Sequence, residues 1–184
     1  MTTYGSYKSI INKLNTATQE LKDYFVHLPR LAESFPWEIS LAYMFERIER
    51  AQTMTLYCGI MRKYRIDSDL AYKAIQLQHI TRGAFQGYFK SVFGKDIPKD
   101  IVEKLEIAQK VRDKVMHGKN VKPSEMRNAI GDIIEFAEMY NAFIYNEAGF
   151  KPFGRLQGVL GGLSGKLDKQ SSRLILKGLG FDLR

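Results

Sequence analysis

A single cysteine, Cys58, stands in 184 residues. It excludes an intrachain disulfide and any cysteine-built metal site, and in an apolar helix it reads as an inert buried thiol. Histidine is almost as scarce, with His27, His79 and His117 alone. His27 precedes Leu28-Pro29 and His79 lies near Arg82. Neither has further ligand residues clustered around it, so both read as structural, and no metal or other cofactor is expected. No apolar run approaches the length of a bilayer span, and the opening MTTYGSYKSI lacks the apolar core of a secretory leader. The expectation is a soluble, cytoplasmic protein. Acidic residues are in deficit, 20 against 28 Lys plus Arg, for a net charge of +8 and a pI near 9.5. That bias favours RNA, DNA or an acidic membrane surface as partner, although a basic surface alone would also produce it. With 45% hydrophobic and 26% charged residues, the chain has ample material for a core and is not a disordered tail.

Strand-like alternation is missing from the first 148 residues, and what is there is helical periodicity. Tyr7, Ile10, Leu14, Ala17, Leu21 and Tyr24 fall at alternating spacings of three and four, a narrow apolar seam along one helix. Leu28 and Leu31 extend the seam, and Pro29 should end or kink the helix there. After SFPWE, a second helix is predicted from about Trp37 to Tyr64, apolar on more than one face and so central in a bundle. Leu70, Ala74, Leu77, Thr81, Ala84 and Tyr88 mark a third, which GKDIP ends. The fourth runs from Pro98 to about His117 with Ile101, Leu105, Ala108, Val111 and Val115 inward, and Gly118 is placed as its left-handed cap. KPSE opens a fifth, with Met126, Ile130, Ile133, Ala137, Tyr140 and Ile144 on its buried face. The predicted fold is all-α, an antiparallel bundle of four to five helices. Residues 1–35 form an extra N-terminal helix on the bundle of 36–148.

Residues 149–184 differ. They hold eight of the fifteen glycines, and seven basic residues against two acidic. One short helix is predicted there, with Asp168 as N-cap and Gly178 as C-cap. Either this basic arm grips a nucleic-acid backbone, or its Leu, Ile and Phe residues dock on the bundle. A third use, lying on a membrane surface through residues 153–179, is opposed by the glycine density. GVLGGLSGK (158–166) is not a phosphate loop, because Leu167 follows Lys166 and no strand precedes it.

Chemistry concentrates in VRDKVMHGK, residues 111–119. Arg112 belongs to the inward stripe or its flank, where an arginine is uncommon unless paired or used. Asp113 and His117, four apart, face the same way. The helix C-terminus and the carboxylate both favour the imidazolium, and the expectation is a histidine that can take or give a proton. Arg112 offers a planar fork of donors to a phosphate. It lies about 140° around the helix from His117. Lys110, Lys114, Lys119 and Lys122 surround them, with Asp113 the one carboxylate between 110 and 122. A plainer reading is a surface Asp113–His117 pair with Arg112 reaching past the core to solvent.

The segment VRDKVMHGKNVKPSEMRNAIGDIIEFAEMY resembles the motif-bearing part of a HEPN domain. In that family an arginine, a polar residue, variable positions and a histidine lie on the penultimate helix of an all-α bundle. Arg112, Asp113 and His117 match that order, and the resemblance covers roughly residues 36–148. It implies a metal-independent endoribonuclease, acting as a homodimer whose two motifs build one composite site. It implies His117 as general acid–base, Arg112 on the scissile phosphate and Asp113 orienting His117, with the four lysines along the RNA. A toxin or defence protein with an antitoxin or other protein partner is the biological setting it suggests. Since some members are non-catalytic, a helical RNA- or protein-binding module is the alternative.

Overall fold

A computed structural model describes residues 3–78, 80–156 and 165–183, so His79 and most of GVLGGLSGK lie outside the described residues. All regular elements among them are helices: α1 Tyr7–Thr16, α2 Gln19–Tyr24, α3 Leu28–Ser34, α4 Trp37–Tyr64, α5 Ser68–Gln76, α6 Arg82–Phe93, α7 Lys99–Met116, α8 Pro123–Ala148 and α9 Lys169–Gly178. The protein is all-α, as its periodicity predicts. No described helix is long and apolar enough to cross a membrane.

The long helices α4, α7 and α8 lie where the periodicity puts them, and two expected helices are broken. The N-terminal seam is shared by three short helices. Ala17 and Thr18 are extended, and Thr16 turns its hydroxyl back to the Lys13 carbonyl at 2.7 Å, the local bond by which short polar side chains compete with helix. Pro29 begins a helix here: it sits in the first turn of α3, where a missing N–H costs nothing. The buried seam is Ile10, Leu14, Ala17, Leu21, Phe25, Leu28 and Ala32, so Phe25 and Ala32 replace the expected Tyr24 and Leu31. The expected third helix divides into α5 and α6 because the Thr81 side chain accepts from Ala84 N at 3.3 Å and starts a new helix. Leu77, expected on its stripe, is exposed.

Two compact units emerge, and they group the residues otherwise than the sequential segments 1–35, 36–148 and 149–184. Unit 1 comprises Met1–Glu49, Pro98–Phe143 and Phe153–Arg155; unit 2 comprises Arg50–Ile97, Ile144–Pro152 and Leu156–Arg184.

Unit 1 is built on the buried face of α8 (Met126, Ala129, Ile130, Ile133, Ile134, Ala137, Tyr140). An aromatic cluster closes it. The Phe153 ring, fully buried, lies 5.2 Å from Tyr24, 5.8 Å from Phe25, 6.1 Å from Phe136 and 6.2 Å from Tyr140. Its backbone N–H donates to Asn141 Oδ1 at 2.9 Å, which satisfies a buried amide. Tyr4 is also buried, against Gly131, where an added Cβ would stand 2.0 Å from the ring; only glycine admits that approach. Tyr4 N donates to Asn128 Oδ1 at 2.8 Å and Arg127 Nε donates to Tyr4 O at 3.0 Å.

Unit 2 packs Phe85, Phe89, Val92 and Phe93 of α6 with Leu56, Ile60 and Met61 of α4. Gly59 lets Phe93 approach closely: a Cβ there would meet its ring at 2.5 Å. The described part of the arm docks. Phe150, Ser172, Leu176 and Phe181 are buried, and Phe181 stacks on Tyr88 with centroids 4.7 Å apart. Asp168 caps α9 as expected. The left-handed position is taken by Gly180 (φ +87°), while Gly178 stays inside the helix.

Cys58 is 1% exposed, and burial pushes its thiol up to about 12, with Arg62 pulling weakly the other way. The thiolate is the reactive form. Native protein is expected to be silent to dithionitrobenzoate and to react once unfolded in guanidinium. Rapid labelling under native conditions would contradict this burial.

Candidate functional site

The end of α7 carries the sequence motif, and its geometry follows from how the helix leaves the core. Ile101, Leu105 and Ala108 are buried, but Val111 and Val115, expected inward, are only half-buried, and residues 116–120 are exposed. Past Ala108 the helix therefore projects its motif towards solvent.

Arg112 folds over α4. Its guanidinium carbon lies 5.1 Å from the centre of the Phe45 ring, within cation–π range. Nη2 reaches Glu49 Oε1 at 3.4 Å, leaving the side chain 26% exposed. That bond is long, and exposed pairs of this kind are worth roughly 0–1 kcal/mol. The ring and the carboxylate thus set the direction of the arginine while holding it weakly.

His117 is the C-cap residue, exposed, with its backbone N–H donating to Asp113 O at 3.0 Å. Gly118 takes φ +66°, and its N–H donates to Val115 O at 3.0 Å while Lys119 N donates to Lys114 O at 2.9 Å. These paired bonds satisfy the carbonyls of the last turn through backbone alone. The imidazole is therefore not spent on capping. Asp113, half-buried, lies one turn before it. The arrangement leaves Arg112 turned towards α4 and His117 on the free end.

Lys110, Lys114, Lys119 and Lys122 are all exposed. Lys114 Nζ stands 3.4 Å from Glu125 Oε2, and the same carboxylate accepts from Lys122 N at 3.4 Å, the backward reach of a third-position helix glutamate. Folding thus adds Glu49 and Glu125 to a neighbourhood whose sequence window shows Asp113 alone. Sequence reasoning had no means of finding Phe45 and Glu49, which belong to a helix more than sixty residues earlier. Chemically, the end of α7 presents an imidazole, a guanidinium and several ammonium groups, side chains that a phosphate could engage.

A second polar cluster joins α7 to α8. Lys104 Nζ bonds Glu135 and lies 3.5 Å from Asp132 Oδ1; Tyr4 donates its hydroxyl to Glu135 at 3.1 Å, and Lys13 pairs with Glu138 at 2.9 Å. Burial pushes Asp132 above the ordinary carboxylate range, only partly offset by Lys104. Burial also acts upward on Glu135, but hydrogen bonds from Lys104 and Tyr4 and the Lys104 charge outweigh it and hold this carboxyl low. Every partner named is internal, so the cluster clamps the N-terminal segment to α8. Lys104→Ala is expected to cost about 1–3 kcal/mol at neutral pH by leaving both carboxylates without their cation. Glu135, held low, contributes stability that is present above the ordinary carboxylate range and lost as pH falls. Asp132, held high, favours the fold as it gains a proton. Removing Lys104 pushes both upward, so the variant's deficit should shrink between neutral pH and about 4. Urea titrations of both proteins across that range check it; a constant deficit would contradict the pairing.

Among the described residues, no three or more His, Cys, Asp or Glu side chains are grouped to hold a metal ion; His27 is exposed beside the Tyr43 ring, 6.0 Å between centroids. Comparison with protein-family models, curated proteins and solved structures finds no match to the chain.

Proposed function

We propose that the protein is a metal-independent endoribonuclease of the HEPN type, working as a homodimer in the cytoplasm. The observation that carries this reading is the end of α7, where His117 is exposed on a turn capped by its own backbone, five residues after an arginine directed by Phe45 and Glu49. His117 takes the proton of a ribose 2′-hydroxyl, whose oxygen attacks the adjacent phosphorus. The 5′-oxygen leaves and receives the proton that His117 now carries, giving a 2′,3′-cyclic phosphate and a 5′-hydroxyl. Arg112 binds the non-bridging oxygens and stabilises the charge that grows on them. Asp113 orients His117, and Lys110, Lys114, Lys119 and Lys122 hold the flanking phosphates. Arg112 is turned onto Phe45 and Glu49 while His117 stands at the exposed helix end, and a second copy would complete the site. A toxin or defence role, with a protein antagonist, belongs to the same reading.

The test is mixed-sequence RNA incubated with wild type, Arg112→Ala and His117→Ala in EDTA, with end-group analysis of the products. Cyclic-phosphate ends from wild type, much reduced in both variants, are expected. No cleavage by wild type, or equal cleavage by all three, would sink the catalytic reading. The alternative, a non-catalytic RNA- or protein-binding module, draws on the Glu49 contact, which gives Arg112 a structural use.

A further inference from the structure

The charge of the chain is not shared between the two units. Unit 1 holds fourteen Lys and Arg against fourteen Asp and Glu, and unit 2 holds fourteen against six, so the whole excess of eight belongs to unit 2. Within unit 2, α9 concentrates it on one face. Lys169, Arg173 and Lys177 recur every fourth residue and are all exposed. Such a row advances about 6 Å per step with a drift of about 40°, a shallow stripe of three cations. Among the described residues, none of the three forms an ion pair. Lys166, also exposed, stands just ahead of the helix with its Nζ 3.4 Å from Ser68 Oγ.

The one carboxylate at this end of the helix is committed elsewhere. Asp168 Oδ1 accepts from Gln170 N at 2.8 Å and Ser171 N at 3.0 Å, and Oδ2 accepts from Ser171 Oγ at 2.6 Å. It caps the helix and leaves the cationic row unneutralised.

The opposite face of α9 is anchored. Ser172 and Leu176 are buried, Asp67 N donates to Ser172 Oγ at 3.2 Å, and Gln78 Nε2 donates to Asp182 O at 3.0 Å. These bonds run α9 alongside α5 in the same direction. The turn after α9 is closed by Gly180 N to Lys177 O and Phe181 N to Leu176 O, each 2.9 Å, with Phe181 buried beneath it. The cations therefore stand on a fixed helix, and presenting them costs little ordering entropy. The same anchoring argues against a lipid surface. An interfacial helix needs an apolar face to insert, and here that face is occupied by the protein, leaving only Leu174 exposed.

From this charge segregation and the rigid row, we infer that the outer face of α9 is an RNA-backbone docking surface, in which Lys169, Arg173 and Lys177 each engage a phosphate of a single strand. The choice of RNA rests on the function proposed above; the polyanion geometry does not. The surface adds a phosphate-binding row in unit 2 to the four lysines at the end of α7 in unit 1.

The experiment measures binding of a fluorescent single-stranded RNA of mixed sequence, as a function of salt, in the His117→Ala background so that the probe stays intact. Replacing Lys169, Arg173 and Lys177 together by Gln should reduce the slope of log K against log salt by about 2, at roughly 0.7 per phosphate on a single strand. Affinity at low salt should fall at least tenfold. A control removing three exposed cations of unit 1 (Lys8, Arg30 and Lys99 to Gln) changes the net charge equally and should leave the slope nearly unchanged. An unchanged slope in the α9 variant, or an equal fall in the control, would overturn the assignment. So would tighter binding to DNA of the same sequence, or α9-dependent binding to phosphatidylserine vesicles exceeding that to RNA. Because binding is read without turnover, a reduced slope together with an uncleaving wild type keeps this surface and removes only the nuclease.

Discussion

His117→Ala is expected to slow RNA cleavage by about 10²–10⁴-fold, the range for a positioned acid–base group, with little change in stability. The second part follows from the cap. The last carbonyls of α7 are bonded to backbone N–H groups, including that of Gly118 at φ +66°, so removing an exposed imidazole breaks none of the bonds that cap the helix end. Arg112→Ala should also lower turnover, but it removes the cation–π contact with Phe45 and the pair with Glu49, so a modest loss of stability accompanies it. The informative experiment mixes the two inactive variants. In a two-fold symmetric dimer each residue meets its counterpart reciprocally. A heterodimer then brings one intact His117 and one intact Arg112, carried by different chains, to the composite site, and activity should return on mixing. Cleavage rates of each variant alone and of the equimolar mixture decide this. If the mixture stays inactive while both variants dimerise, the site is not shared between chains.

Phe153→Ala should damage the fold severely, costing about 3–5 kcal/mol, as large-to-small substitutions of buried aromatic rings do. The ring is fully buried and meets Tyr24, Phe25, Phe136 and Tyr140, which come from two distant stretches of chain. Removing it leaves a void that these rings cannot all fill. For a chain of this length the loss corresponds to a fall in Tm of roughly 10 °C. Trp37, the one tryptophan, belongs to unit 1 and is the natural reporter, since the Arg127 guanidinium lies 5.6 Å from its ring. Thermal unfolding followed by tryptophan fluorescence tests the expectation. A shift of only a degree or two would mean that the cluster does not hold unit 1 together.

The legible parts of the sequence were those whose information is local and repeated. α4, α7 and α8 each carry many turns of one periodicity, so Trp37, Tyr64, the start near Pro98 and Pro123 could all be read off. The N-terminal seam deceived because three short helices can keep one buried line in register across an extended joint at Ala17 and Thr18 and a turn over residues 25–27. Only a cap or a local hydroxyl bond reveals such joints, and Thr16 and Thr81 are weak signals in isolation. At the α7 end, the order Arg112, Asp113, His117 and the glycine stop was visible, but the partners of the arginine were not. Phe45 and Glu49 look like any other residues of a long helix until folding brings α4 beneath α7. Phe153 was hidden for another reason: it sits in a glycine-rich segment whose composition suggests an appendage, yet one bond to Asn141 and four aromatic neighbours bring it into the core of unit 1.

That last placement bears on how the chain matures during translation. Unit 1 draws on residues that precede α5 and α6 and is closed by Phe153, after α5 and α6, which belong to the other unit, have been synthesised. The emerging polypeptide must carry an unsealed aromatic cavity, with Phe25 and Phe136 lacking their neighbour, until residue 153 clears the ribosome. A nascent chain stalled at residue 148 would hold the complete motif of α7 and all of α8, but it would still be open at its centre.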